Sequence, residues 1–210
     1  GQMQACDSDG RYAEGSTGST ITDIGPARSG SVEAATQTPR SPDSAEKSKP
    51  DPATGKFRIP ITDKQAERFA DGSKELIGTP YGLLGPKSAK GVGVDCSGAP
   101  YLAAKIAGLE YDYSQAKYLE FNPHLVKVQD GSDFKMSELK KGDFIQMKSG
   151  KDVWHVVIYD PQADPGKPGQ KRDPSINVYH ASRKKNKFMA TALNGLTKYM
   201  KITGVFRYHQ

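Results

Sequence analysis

Apolar positions are sparse and without rhythm over residues 1–55, and then fall into two clear periods. The first stretch is rich in Ser, Thr, Gly, Pro, Asp and Lys and shows no sustained repeat of two or 3.6. Such a segment cannot bury enough surface to offset its ordering entropy, so residues 1–55 are expected to be a disordered or extended tail ahead of a domain at 56–210. From Thr62 the apolar residues Ala66, Phe69, Ala70, Leu76 and Ile77 recur at helical spacing, with Thr62 or Asp63 as the cap and Gly78 as the stop. A second helix is predicted over 97–107. It ends at Gly108, turns Leu102, Ala103 and Ile106 inward, and carries enough small residues to sit close against a sheet. Pro100 falls in its first turn, where no helical hydrogen bond is lost. A short helix is expected over 114–121.

Downstream the period changes to two. Strands are predicted over 144–147, 153–159, 176–180, 188–193 and 202–208, the first two joined by a hairpin at 148–152. Helices first and mostly antiparallel strands afterwards make an α+β domain. Along 153–159, His155 shares a face with Val157, and that face is expected to be the one covered by the helix beginning near Cys96. The Pro- and Gly-rich stretch 160–175 is a long loop, which either rims a cleft or is a surface insertion.

Composition adds limits. At 210 residues the chain has room for one ordinary domain plus a tail. No run approaches the roughly 18 apolar residues of a membrane span, and the first residues lack the basic-then-apolar pattern of a secretion signal. The net charge of +6 favours an anionic partner without choosing one. Apart from Arg183-Lys184-Lys185-Asn186-Lys187 the cations are dispersed, and no aromatic-studded basic groove or zinc-finger spacing is present, so nucleic acid is not an expected partner. Four scattered histidines and two distant cysteines give no metal site, and no cofactor is expected.

The candidate chemistry centres on Cys96, in the turn Val94-Asp95-Cys96-Ser97-Gly98 where a Gly-rich loop enters a helix. Unpaired N–H groups and the positive end of the helix dipole favour a thiolate there, and such settings lower a cysteine pKa from about 8.5 to about 3.5–7.5. The bland alternative is a small buried hydrophobe. Two strand histidines, His155 and His180, supply a base and a group to orient it, which is the minimum for a nucleophilic thiol. His124 follows a proline in a loop and ranks below His155 as the base; His209 is a bystander. Cys6 lies in the tail and is not expected to pair with Cys96.

The run Leu76-Ile77-Gly78-Thr79-Pro80-Tyr81-Gly82, the Asp95-Cys96-Ser97-Gly98 turn, Leu139-Lys140-Lys141-Gly142-Asp143-Phe144, the His155 strand and His180-Ala181-Ser182 together resemble the NlpC family of papain-like cell-wall peptidases over roughly 61–208. The resemblance implies a papain-like topology and a Cys96, His155, His180 site. It also implies a cleft wall near Tyr81 and substrate-holding roles for Asp95 and Ser97. The substrate it implies is a peptidoglycan stem peptide cut between D-glutamate and a diamino acid. The family usually has a large aliphatic residue where Ala99 stands. Such an enzyme is expected to be exported to the periplasm or cell wall. Met3-Gln4-Ala5-Cys6 leaves open a lipid anchor at Cys6, and the tail could otherwise bind a partner. Two alternatives stay open: another amide hydrolase or acyltransferase on this scaffold, such as a toxin aimed at a rival cell, and a catalytically silent wall-binding module.

Overall fold

Thr62 opens the first helix because its side chain and that of Gln65 satisfy each other's backbone. Thr62 Oγ1 accepts from the Gln65 N–H at 3.3 Å, and Gln65 Oε1 accepts from the Thr62 N–H at 2.9 Å, a reciprocal capping box. The structure, a computed structural model, describes residues 49–150, 152–166 and 169–210. Helix α1 (Asp63–Glu75) buries Ala66, Phe69 and Ala70, and the chain turns out of it at Gly78, where φ is +89°. Helix α2 (Gly98–Ile106) crosses it closely: a Cβ on Gly72 would stand 2.5 Å from the Ala103 carbonyl oxygen, so glycine is required there. The expected helix at 114–121 is a 3-10 segment, Ala116–Phe121, broken at Tyr118.

Six strands follow: β1 (Leu125–Asp130), β2 (Phe144–Ser149), β3 (Val153–Tyr159), β4 (Val178–Ser182), β5 (Lys187–Thr191) and β6 (Lys201–Tyr208). They form one antiparallel sheet in the order β1-β6-β2-β3-β4-β5. β1 was not expected from the sequence, because a register shift between Lys127 and Gln129 breaks its alternation. The stretch expected to continue as strand to residue 193 instead turns at Ala192 into a single-turn helix, α3 (Leu193–Leu196).

Both faces of the sheet are covered. Val156, Ile158, Tyr179 and Phe188 pack with Phe69, Ala103 and Cys96 on the helical side. Ile145, Met147, Val157 and Val178 pack with Leu193 and Met200 on the other. The expectation that the Val157 face lies under α2 is therefore reversed. Both alternating sets of β3 are apolar, and alternation alone cannot say which set meets the helices.

Beyond β5 the wall continues without a formal strand. The Phe188 N–H donates to the Thr79 carbonyl at 2.8 Å and the Tyr81 N–H to the Asn186 carbonyl at 3.1 Å. On the far side of this segment, the Val94 N–H donates to the Pro80 carbonyl at 3.0 Å and the Gly82 N–H to the Val94 carbonyl at 3.1 Å. The backbone is thus handed from β5 through Tyr81 to Val94, two residues before Cys96.

The expected tail at 1–55 lies outside the described residues as far as 48. From Lys56 the chain is docked: the Lys56 ammonium donates to the carbonyls of Glu120, Asn122 and Leu125 at 2.7, 3.2 and 2.8 Å, and the Phe57 ring stacks on His124. No described helix is long and apolar enough to cross a membrane.

Asp143 ties the start of β2 to β6. Its buried carboxylate accepts from Arg207 Nε and Nη2, each at 2.8 Å, and from the Lys140 N–H at 2.8 Å. Removing one partner of a buried pair strands the other, and because Arg207 keeps some exposure, Asp143→Ala is expected to cost about 2–4 kcal/mol. Urea unfolding should show a lower midpoint at unchanged m. A loss within about 0.5 kcal/mol would mean that the pair behaves like a surface ion pair.

Candidate active site

Asp95 builds the turn that carries the cysteine. Its Oδ1 accepts from the Ser97 N–H at 2.9 Å, the Ser97 hydroxyl at 2.7 Å and the Gly98 N–H at 2.7 Å, and its Oδ2 accepts from the Gly85 N–H at 2.7 Å. It therefore satisfies N–H groups at the start of α2 and pins the preceding loop there. The fit is tight, since a Cβ on Gly98 would stand 2.0 Å from Ser88 Oγ and 2.7 Å from the Gly85 carbonyl. Ser97 Oγ also lies 3.2 Å from the Tyr113 hydroxyl. Gly85, Ser88 and Tyr113 are the residues that sequence reasoning missed. They are remote in sequence, and only the fold brings them to the Asp95–Gly98 turn.

Cys96 is buried on the helical side, in the cluster that also contains Val156 and Ala181. These two residues directly follow His155 and His180 in the chain. The histidines alternate to the other face, with His155 opposite Met147 across β2–β3. The β3–β4 ladder holds at Ile158↔Tyr179 and Tyr159↔Val178 and is not continued toward the histidines, whereas β4 stays paired with β5 along its length. The two imidazoles sit where the strands part. Their rings are perpendicular, with centroids 5.4 Å apart, and His155 Nε2 lies 3.2 Å from His180 Nδ1. Among the described residues, the buried Nδ1 of His155 has no hydrogen-bond partner.

Tyr81 is half-buried between Asn186 and Val94, at the edge that leads to Cys96. His124 lies elsewhere. It is stacked on Phe57 with ring centroids 4.5 Å apart and lies near Tyr111 and Tyr208, with Nδ1 3.3 Å from the His209 carbonyl, a packing role. His209 is bonded through its backbone to His124. No cluster of metal-ligating side chains occurs among the described residues.

The expectation of a free thiol is not met: the Cys96 sulfur is held in a disulfide in this structure. A sulfur so held cannot attack a carbonyl until a thiolate displaces it. Cys6 lies outside the described residues.

The model of the NlpC/P60 family matches residues 78–202, a span that takes in the Cys96 turn, both strand histidines and the sheet between them. The chain belongs to the NlpC/P60 family. No curated protein matches it as a relative. The α+β architecture is that of this papain-like family, and membership implies a cysteine peptidase or amidase activity directed at the cell wall.

In this NlpC/P60 domain burial pushes both imidazoles well below the ordinary histidine range, and at His155 the charge of His180 adds to the effect. Both rings are neutral at pH 7. An unfolded histidine titrates near pH 6.5, so below that pH the unfolded chain binds protons that the folded domain refuses. Stability should then fall as pH drops from about 6.5 toward the depressed folded values, by up to about 1.4 kcal/mol per pH unit for each histidine. Denaturant titrations at pH 7, 6 and 5 should show a steeper acid loss in wild type than in His155→Gln/His180→Gln. Parallel curves would contradict the burial of two neutral rings.

Proposed function

We propose that the domain is a cysteine endopeptidase that hydrolyses an amide bond in peptidoglycan stem peptides, of the D-glutamyl–diamino acid type. The observation that carries the reading is the buried His155–His180 pair with one ring nitrogen of His155 left over. A neutral imidazole has one N–H and one acceptor. For His155 to act as a base at Nδ1, its proton must sit on Nε2 and be donated to His180 Nδ1. His180 thereby selects the tautomer and stabilises the imidazolium once it forms.

The chemistry then runs from the reduced enzyme. His155 Nδ1 takes the Cys96 proton, and the sulfur attacks the scissile carbonyl to give a tetrahedral oxyanion, with the Cys96 N–H at the helix start as a proposed donor. His155 returns the proton to the leaving amine, leaving a thioester. Water, deprotonated by the same imidazole, attacks that thioester and releases the carboxylate and the thiol.

Tyr81 is proposed to wall the cleft, and Asp95 and Ser97 to hold the amino end of the peptide. Asp95 supports this role with a charge that no cation among the described residues compensates, since each of its hydrogen-bond donors is neutral. An enzyme acting on peptidoglycan would work in the periplasm or wall, to which the chain is proposed to be exported. Residues 1–55 would then serve as a tether, to a partner or through a lipid at Cys6.

Purified wall fragments incubated with reduced wild type should yield new amino and carboxyl termini by mass spectrometry, and Cys96→Ala should yield none. Wild type kept without a dithiol reductant should be inactive and recover on its addition. Turnover by Cys96→Ala would exclude the covalent route. His155→Ala should abolish turnover, whereas His180→Gln, which can still accept from His155 Nε2, should retain a measurable rate; equal loss in both would overturn the division of roles.

A further inference from the structure

We infer that the β4–β5 turn is a binding site for carboxylates of the peptide substrate, with Lys185 and Lys187 as its cations; this rests on the peptidase reading above. The turn is the one place where the dispersed positive charge condenses, as Arg183-Lys184-Lys185-Asn186-Lys187. Lys184, Lys185 and Lys187 are exposed. Among the described residues no carboxylate pairs with Lys185 or Lys187.

The turn is built rather than loose. The Lys185 N–H donates to Ser182 Oγ at 3.2 Å, the Asn186 N–H to the Arg183 carbonyl at 3.1 Å, and Asn186 takes the left-handed conformation at φ 51° that closes the hairpin. A cation on such a turn loses less freedom on binding than one on a mobile loop.

Its place is set by backbone bonds. β4 runs from His180 through two residues into the turn. Asn186 and Lys187 then pair with Tyr81 and Pro80, whose other edge pairs with Val94. Two strand spacings, roughly 10 Å, therefore separate the turn from the backbone that leads into Cys96. A lysine side chain on the turn can reach a group on a peptide lying beside Tyr81.

The occupant follows from size and charge. A polyanionic strand needs a row of cations along its length, and here the one dense run of positive charge is a single hairpin end. One or two carboxylates suit that span. A peptide bearing free carboxylates near its scissile amide would place them there.

The test uses two synthetic stem peptides, identical except that the carboxylates other than those formed by cleavage are free in one and amidated in the other. Reduced wild type should favour the free acid by about tenfold in kcat/KM, the difference lying in KM and shrinking as salt rises. Lys185→Gln/Lys187→Gln should bring the two peptides within about twofold of each other. An unchanged ratio would overturn the proposal, as would an equal loss on both peptides, which would mean that the turn acts through the fold.

Binding of both peptides to Cys96→Ala, measured by calorimetry, separates this site from the chemistry. A preference for the free acid that the lysine pair controls, found without any turnover in wild type, would sink the peptidase reading and keep the carboxylate site. No preference would sink the site. Soluble poly(glycerol phosphate) serves as a third probe: if the lysine pair governs its affinity and not the peptide preference, the turn serves that polymer and the inference fails.

Discussion

One carboxylate determines where Cys96, the proposed nucleophile, stands. Asp95 accepts from two N–H groups of the α2 start, from a hydroxyl beside them and from the backbone of the loop at Gly85. Hydrogen bonds to a charged group are each worth about 1.5–3 kcal/mol, and a buried carboxylate that lost them would carry its full desolvation cost. The helix start, the loop and Cys96 between them are therefore held as one unit. The missing side chain at Gly98 lets Ser88 and Gly85 close onto that unit. Replacing the glycine would move the loop and, through Asp95, the cysteine.

The sheet answers this fixed point by opening. On the proposed reading, a nucleophile on the helical side and a base on the opposite alternation need a break in the ladder to meet. β3 and β4 stay bonded at Ile158 and Tyr159 and are not paired where His155 and His180 stand. The lost ladder bonds are offset in part by the bond between the rings and by burial of Val156 and Ala181 in the core cluster that contains Cys96. Perpendicular rings also keep the second nitrogen of His155 out of the pair, which leaves it available for a proton.

Much of this was legible in the sequence. Thr62 and the helical spacing of Ala66, Phe69 and Ala70 announce α1, the small residues of α2 announce close packing, and the motifs around Tyr81, Cys96, Asp143, His155 and His180 together resemble the family. The face of β3 was not legible, because Val153, Trp154, Val156, Val157 and Ile158 offer no polar side to read. β1 was hidden by its register shift and α3 by its brevity. Within the site, the turn is held by Gly85 on Asp95 and by Tyr113 on Ser97, ten and sixteen residues from their partners, which no local pattern connects. The disulfide at Cys96 has no signal in the local pattern of that turn, which reads as a site for a free thiol.

Two charged features near Cys96 have opposite sign and different settings, and on the proposed reading that difference orients a peptide. Asp95 is buried and negative, adjacent to the nucleophile; the β4–β5 turn is exposed and positive, across the Tyr81 segment. A substrate with an ammonium at one end and carboxylates at the other matches this arrangement in one direction only. Reversed, it would set carboxylate against carboxylate at the buried position, where the effective dielectric is low and repulsion is least screened. The exposed lysines contribute chiefly to encounter and direction, since screened rim charges act more on association than on the bound state. On the proposed reading, discrimination against the wrong polarity falls to Asp95, whose position is also what holds Cys96 at the helix start.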